Sequence, residues 1–426
     1  MMFENVPYAE SPVEVKQGYL QLDNGQLQLV WDIQYELQDN WYNGHVNAYD
    51  GTVISLVDWV SSASYRVIPF GINDPTESSR ILLKNPQDSW ASPYGWHVQG
   101  IQGQNAQPFN VTIGNNAYTH TNPDGGNNWE NNYRPTGRGR EKDNGENDAV
   151  IANAQDGSGR NNANFATPPD GKHGKMRMYI WDQTSPMRDG DFESGIIIHE
   201  YTHGVSIRLT GGPANSNCLN WNEAGGMGEG WGDFIATVIR MKKEYTRDID
   251  FSMGNYANGG EGIRKYKYST SMKTNPSTYK IMDRFDYWGV HAKGEVWAEM
   301  LYEVYWNLVD LLGFTPDWFP PAPEDTFKTA MDSDDLQKVR DHITSYGNTL
   351  AVQLVIDGLK LQPCSPTFVD ARDAILQAEQ QLTQGKYYCD IYRAFAKRGL
   401  GVGAKVTQRG WLEQRTESFE LPSACQ

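Results

Sequence analysis

Long apolar runs, basic clusters and a recognisable leader segment are all missing from this sequence. No stretch of about 18 apolar residues occurs, so no membrane-spanning helix is predicted. Acidic residues outnumber basic ones by 53 to 37, and the net charge is −16 at pH 7. Such a surface repels phosphate backbones and anionic lipid, which argues against nucleic-acid and membrane partners. We therefore expect a soluble globular protein, and we expect it to be a monomer.

Cysteine is scarce, with four residues in 426, and the N-terminal MMFENVPYAESPVEV lacks the basic and apolar parts of a signal peptide. Taken alone, that N-terminus favours the cytosol. The cysteines are compatible with two disulfides in any of three connectivities, or with four buried thiols. A bond between Cys364 and Cys389 is disfavoured, because a helix predicted between them would hold them about 20 Å apart. The connectivity stays open.

Hydrophobic periodicity divides the chain into three stretches. Residues 18–60 alternate polar and apolar positions, which predicts a small antiparallel sheet. Residues 65–171 are rich in Gly, Asn, Asp and Pro, which indicates ordered loops between short strands. From about residue 193 onward, apolar residues recur every three or four positions, so the C-terminal half is predicted to be mainly helical.

The pentad HEYTH places two imidazoles, His199 and His203, one turn apart on a predicted helix. Both can then donate a nitrogen to one zinc ion, with Glu200 beside them to reach a metal-bound water. Two surface histidines on an ordinary helix are the alternative. Apolar residues on both flanks of the pentad argue against it, because buried imidazoles need partners.

A catalytic zinc needs a third protein ligand and an open position. A third histidine six residues after His203 is absent, since Leu209 stands there. The segment GGMGEGWGD opens the next predicted helix and supplies Glu229 as the third ligand. Asp233, one turn later, is predicted to accept the second ring N–H of His199. The alternative is a solvated acidic helix start.

Nearly the whole chain resembles the fungalysin family of extracellular fungal zinc metalloendopeptidases, which are more distantly related to thermolysin-like enzymes. The resemblance rests on HEYTHG, NEAGGMGEGWGDF, GIRKYKYST, GVHAKGEVWAEMLY, NNANFATPPDGKHGKMRMYIW, FVDARDAILQAE and YRAFAKRGLG. It implies an α+β fold with two lobes, one β- and loop-rich and one mainly helical, and a zinc site in the cleft between them. It also implies cleavage of internal peptide bonds in proteins by a zinc-bound water that Glu200 activates.

The same resemblance implies roles for further residues. His291 is expected to stabilise the oxyanion, with Asp286 orienting it, although a structural histidine is the alternative. Arg264 is expected to bind a substrate carbonyl, with a surface ion pair as its competitor. Asn162 and Ala163 resemble an edge-strand pair that bonds the substrate backbone. One zinc ion per chain is implied, whereas the acidic residues between Asp189 and Glu193 give no clear calcium motif.

The resemblance also predicts domains and secretion. Residues 1–61 resemble the end of a removable pro-region, 62–205 form the β- and loop-rich lobe ending in the zinc helix, and 206–426 form the helical lobe. The mature enzyme is expected to begin near residues 62–64, and secretion follows from the family alone. Three alternatives are a permanent N-terminal domain, a latent zymogen fragment, and a non-catalytic binding protein; the presence of Glu200 argues against the last.

Overall fold

The computed structural model describes residues 1–9, 11–22, 26–37, 41–58, 64–88, 92, 95–101, 104–108, 112–123, 125, 149–320, 331–409 and 412–426. The described part of the chain is a mixed α/β protein that divides into two compact units. Within the described residues, the first consists of Met1–Val67 and Ile81–Ala117, and the second of Ile68–Arg80 and the residues from Tyr118 onward. Of the predicted maturation point near residues 62–64, only Ser64 belongs to the described residues.

The first unit is built on a five-stranded antiparallel sheet whose strands follow one another in sequence order. Its strands are β1 (Met2–Phe3), β2 (Val13–Gln21), β3 (Leu27–Glu36), β4 (Trp41–Asn47) and β5 (Val53–Asp58). Two short antiparallel pairs follow, β6 (Ser64–Val67) with β7 (Ile81–Lys84) and β8 (Val98–Ile101) with β9 (Gln104–Pro108). The strands predicted from alternation in residues 18–60 are thus confirmed.

The second unit contains a four-stranded sheet in the order β10, β11, β13, β12. These strands are β10 (Ala117–Thr121), β11 (Val150–Arg160), β12 (Ala163–Ala166) and β13 (Lys175–Ile180). β11 pairs with β13 in parallel, whereas β12 pairs with β13 in the antiparallel sense. β12 is therefore an edge strand among the described residues.

Helices make up most of the chain after residue 193. The described helices are α1 (Ser194–Leu209), α2 (Asn222–Val238), α3 (Asn255–Asn258), α4 (Val290–Leu312), α5 (Ser333–Ser345), α6 (Gly347–Leu361), α7 (Phe368–Thr383) and α8 (Tyr388–Lys397). None of them is long and apolar enough to span a bilayer. The predicted helical half is confirmed, but it also contains an unforeseen antiparallel hairpin, β14 (Lys405–Arg409) with β15 (Leu412–Thr416).

The main hydrophobic core lies among α2, α4, α6, α7 and α8, and a smaller cluster lies between α1 and the strands β12 and β13. Two disulfides, Cys218–Cys364 and Cys389–Cys425, tie peripheral segments to this helical core. The sequence had left their pairing open. The paired cysteines are far apart in the sequence and meet because the helices pack together. Their spacing along the chain does not reveal this pairing.

Arg398, directly after α8, is completely buried and holds α4 in place. Its guanidinium lies 2.7 Å from the carboxylates of both Glu299 and Glu303 on α4. It also donates to the backbone oxygens of Ser269 and Asn275. Each buried charge therefore has a partner, as the low-dielectric interior requires.

We predict that Arg398→Met strongly destabilises the protein. Removal of the cation leaves Glu299 buried without its ion-pair partner, while Glu303 keeps Lys397 and Arg247. We expect a cost of about 3–5 kcal/mol in the free energy of unfolding. Denaturant titration followed by circular dichroism measures this loss. The matched control is Arg393→Met on α8, which removes a half-exposed pair with Asp390 and should cost less than about 1 kcal/mol. Equal losses in the two variants would contradict the assignment.

Candidate active site

The N-terminus of α1 is held by a remote loop rather than by a side chain of its own first turn. Asn73 accepts a hydrogen bond from the Gly195 N–H through its side chain (3.1 Å), and its backbone oxygen accepts one from the Ser194 N–H (2.7 Å). The Asn73 amide also donates to buried Glu193. These bonds satisfy N–H groups that a helix start leaves unpaired, and they fix the helix that carries the HEYTH pentad.

The helices α1 and α4 both approach α2 at glycines. A β-carbon at Gly232 would lie 2.7 Å from Nδ1 of His199, and one at Gly226 would lie 2.5 Å from the β-carbon of Lys293. On the facing helix, a β-carbon at Gly294 would lie 2.6 Å from that of Glu229. No larger side chain fits at these contacts, so glycine is what lets three helices meet around Glu229.

The predicted ligand atoms converge. The ligand atoms of His199, Glu200 and His203 lie within 4.8 Å of one another. Glu229 on α2 faces them, with Oε2 3.1 Å from Nε2 of His199 and Oε1 3.8 Å from Nε2 of His203. Nε2 of His291, from the first turn of α4, lies 3.2 Å from the same Oε2. Five side chains from three helices therefore surround one point.

Burial and neighbouring charges shift the pKa of each group. Burial raises the pKa of Glu200 to about 7, against the opposing charge of His199. Burial and the charge of His199 lower the pKa of His203 to about 4, so this ring is neutral at pH 7. Although burial opposes ionisation of Glu229, its hydrogen bond with His199 and the histidine charges lower its pKa to about 2. A neutral imidazole and an ionised carboxylate are the forms that bind a metal.

Asp233 holds the far side of the His199 ring. Its Oδ1 lies 2.7 Å from Nδ1 of His199, the bond that the sequence predicted. Arg264 donates two hydrogen bonds to the same carboxylate, from Nε to Oδ2 at 2.6 Å and from Nη2 to Oδ1 at 2.8 Å. The Tyr268 hydroxyl is a further donor to Oδ2. Although burial favours the neutral acid, the Arg264 charge and the His199 hydrogen bond hold the pKa of Asp233 far below its usual range.

Two residues named from the sequence have partners that differ from expectation. Arg264 does form an ion pair, but it is buried against Asp233 rather than at the surface. The carboxylate of Asp286 is bonded by Lys265 and by Arg284, and no hydrogen bond to His291 occurs among the described residues. The structure therefore does not bring Asp286 onto the ring of His291, because two neighbouring cations hold its carboxylate instead.

Asn162 and Ala163 stand at the start of the strand β12, and Ala163 packs in one cluster with Ile196 of α1. Ala163 begins the edge strand β12 and pairs with Met178 of β13, and the Asn162 oxygen accepts from Tyr179 N–H at 3.2 Å. Within the described residues β12 has a partner strand on one side only. Its other edge offers backbone groups to an added strand.

Sequence reasoning missed three residues that build the site. Asn73 anchors α1 from more than 100 residues away, Gly232 gives room to the His199 ring, and Tyr268 is the third partner of Asp233. Gly232 and Tyr268 stand inside the motifs GGMGEGWGD and GIRKYKYST, but nothing in their spacing reveals which side chain they contact.

The donor set fits a metal ion. One carboxylate oxygen of Glu200, Oε2, is buried without a hydrogen-bond partner among the described residues. The Glu200 carboxylate stands beside the two imidazole nitrogens. With the Glu229 carboxylate, these groups are the nitrogen and oxygen donors that zinc takes in catalytic sites. Two histidines and a glutamate around a free carboxylate define a metal-dependent hydrolase that activates water.

Comparison with known proteins gives the same class. The model of the fungalysin metallopeptidase family (M36) matches residues 64–144 and 136–404. The chain is 44% identical to the extracellular metalloproteinase MEP of Neosartorya fischeri, covering 99% of this chain and 71% of that protein. It is 42% identical to extracellular metalloproteinase 10 of Coccidioides posadasii (100% and 72%) and 43% identical to extracellular metalloproteinase 2 of Trichophyton rubrum (99% and 71%).

The chain belongs to the fungalysin metallopeptidase family. It is accordingly a zinc-dependent endopeptidase, which hydrolyses internal peptide bonds of proteins. The resemblance seen in the sequence motifs is thereby confirmed.

We predict that Gly232→Ala impairs metal binding. The added methyl group would press on the His199 ring, and overpacking of this kind costs about 1–3 kcal/mol. Tilting of the His199 ring, a predicted ligand, should lower metal affinity by about 10- to 100-fold. Competition with a chromogenic chelator measures the affinity.

The matched control for this variant is Gly228→Ala on the same helix. In the part of the chain that the structure describes, a β-carbon at Gly228 would meet only Leu219, at the ordinary distance of 3.5 Å. This variant should keep its metal and gain up to about 1 kcal/mol from helix propensity. If both variants bind the metal like the wild type, the close contact at Gly232 has no functional consequence.

Proposed function

We propose that this endopeptidase holds a single zinc ion between His199, His203 and Glu229. The observation that carries the proposal is the convergence of these three side chains on one point beside the unpartnered oxygen of Glu200. When bound there, zinc supplies Lewis acidity that polarises a peptide carbonyl and lowers the pKa of water.

Glu200 is the general base in this proposal. Its carboxylate takes a proton from the attacking water and delivers it to the nitrogen of the leaving group, with no covalent intermediate. Burial raises its pKa to about 7, and a base of such a pKa both accepts and returns a proton near neutral pH. Asp233 fixes the tautomer of His199. Nδ1 of His199 donates its proton to the Asp233 carboxylate, which leaves Nε2 free to bind the metal.

The exposed ring of His291 is proposed to donate a hydrogen bond to the oxyanion. It lies at the N-terminus of α4, and partial burial lowers its pKa from the ordinary value. The substrate backbone is proposed to pair with the open edge of β12 at Asn162 and Ala163, as an added strand. Arg264 would reach a substrate carbonyl only with donors not engaged by Asp233.

The proposed architecture is the two-lobed, thermolysin-like arrangement, with residues 62–205 as the β- and loop-rich lobe and 206–426 as the helical lobe. The packing of α1 between β12 on one side and α2 on the other supports it. Protein or peptide substrates would lie across α1. We propose cleavage of exposed or unfolded protein with preference for an apolar residue at the new N-terminus.

Secretion is proposed from the relatives, which are extracellular metalloproteinases. We also propose that residues 1–61 belong to a removable pro-region. Two observations support this: strands β1 to β5 form a sheet of their own, and the family match begins at residue 64. The first compact unit additionally includes Ile81–Ala117, which the sequence assigns to the catalytic lobe.

The general-base assignment is tested with Glu200→Gln. The amide cannot take the proton, so we expect casein hydrolysis to fall by at least about 100-fold, while the zinc content measured by atomic absorption stays at one per chain. Glu244→Gln, at an exposed glutamate after α2, is the matched control and should leave both quantities unchanged.

Two results would contradict the zinc proposal. One is processed wild-type protein that leaves casein intact in the presence of zinc. The other is activity that survives a chelator, or that zinc does not restore after chelation. A variant Glu200→Gln with wild-type turnover would contradict the role of Glu200 and leave the metal ligands in place.

The pro-region boundary predicts where the active protein starts. N-terminal sequencing of the active secreted product should give a start near residues 62–64. An active product that keeps Met1 and the β1 to β5 sheet would instead show that this sheet is a permanent domain.

A further inference from the structure

Asp233 accepts a hydrogen bond from His199, and its carboxylate accepts four hydrogen bonds in all. Oδ1 accepts from His199 and from Nη2 of Arg264, and Oδ2 accepts from Nε of Arg264 and from the hydroxyl of Tyr268. Each oxygen thus has two donors, and the plane of the carboxylate is fixed. The orientation of the His199 ring follows from that plane.

Tyr268 differs from Arg264 in how its donor is held. Its backbone forms both hydrogen bonds of an antiparallel bridge with Phe251, at 2.9 and 3.0 Å. Its ring is buried and packs against Tyr302 of α4, with centroids 6.5 Å apart. The hydroxyl therefore has a fixed position, set by the backbone bridge and by the packing of the ring.

Burial raises the pKa of the Tyr268 hydroxyl well above its ordinary value. The hydroxyl therefore keeps its proton and remains a donor throughout the working pH range. A buried donor of this kind can be removed without changing the charge of the site, which makes the contribution of Tyr268 separable from that of Arg264.

We infer that Tyr268 is a positioning residue for the zinc site, which fixes the Asp233 carboxylate and through it the His199 ring. The inference rests on the proposed zinc ligation by His199. Without the hydroxyl, the described hydrogen-bond partners of Asp233 other than His199 reduce to Arg264, and Oδ2 loses one of its two donors. Loss of such an outer partner typically lowers metal affinity by about 10- to 100-fold.

The test compares Tyr268→Phe with Tyr302→Phe in the full chain. Both tyrosines are buried in the same core, and each loses one hydroxyl hydrogen bond, since Tyr302 donates to the backbone oxygen of Ile249 at 2.7 Å. Zinc affinity is measured by chelator competition. We expect Tyr268→Phe to weaken it about 10- to 100-fold and Tyr302→Phe to change it by less than about twofold.

Cobalt substitution gives a second readout that a merely structural role would not move. The visible absorption of cobalt reports the geometry of its ligands, so the spectrum of Tyr268→Phe should shift and that of Tyr302→Phe should not. If Tyr268→Phe does not fold, Tyr268→Met also lacks the hydroxyl and fills the space with a flexible side chain. The same loss of affinity is then expected of it.

The outcomes separate this inference from the proposed function. Wild-type protein that binds no stoichiometric zinc would overturn the zinc site itself. Wild-type protein that binds zinc, with Tyr268→Phe indistinguishable from Tyr302→Phe in affinity and spectrum, would overturn only the role of Tyr268. Combination with Asp233→Asn adds a check: if Tyr268 acts through Asp233, its substitution should cost little more in that background.

Discussion

The distance between helices decides whether side chains from three of them can reach one ion. Packed helices are normally separated by their side chains at 8–10 Å between axes. Here Gly232 faces α1, while Gly226 and Gly294 meet between α2 and α4, and at each point a methyl group would collide with its neighbour. The glycines weaken α2 as an isolated helix. Burial of the helix in the main core offsets that loss.

Paired charges keep this close assembly in one arrangement. Asp233 and Arg264 form a buried ion pair next to the site. Glu223 and Arg415 form another near the start of α2, and Arg398 pairs with the carboxylates of α4. Charge burial is costly unless each group has its partner in good geometry. A shift of one helix along its axis would separate such a pair. These ion pairs therefore favour the observed register of α2 and α4 over shifted registers.

Sequence periodicity predicted the helix under HEYTH, the following helix with Glu229, and the antiparallel strands of residues 18–60, and all of these are present. It did not predict the β14–β15 hairpin, because helical patterns dominate its surroundings. Asp233 was placed on His199 because a residue one turn after Glu229 shares its helix face. Asp286 was placed on His291, but Lys265 and Arg284 donate to its carboxylate, and no local pattern reveals such competitors.

The sequence by itself determined the kind of chemistry. On each of two helices, a pair of residues four positions apart supplies the nitrogen and carboxylate donors. Such a pair is visible in the sequence, because residues four apart in a helix lie on the same face. Tertiary structure alone decided which cysteines pair, which loop anchors α1, and how Tyr268 and Arg264 share one carboxylate. Those contacts join residues far apart in the chain, and their geometry depends on the packing of every helix between them.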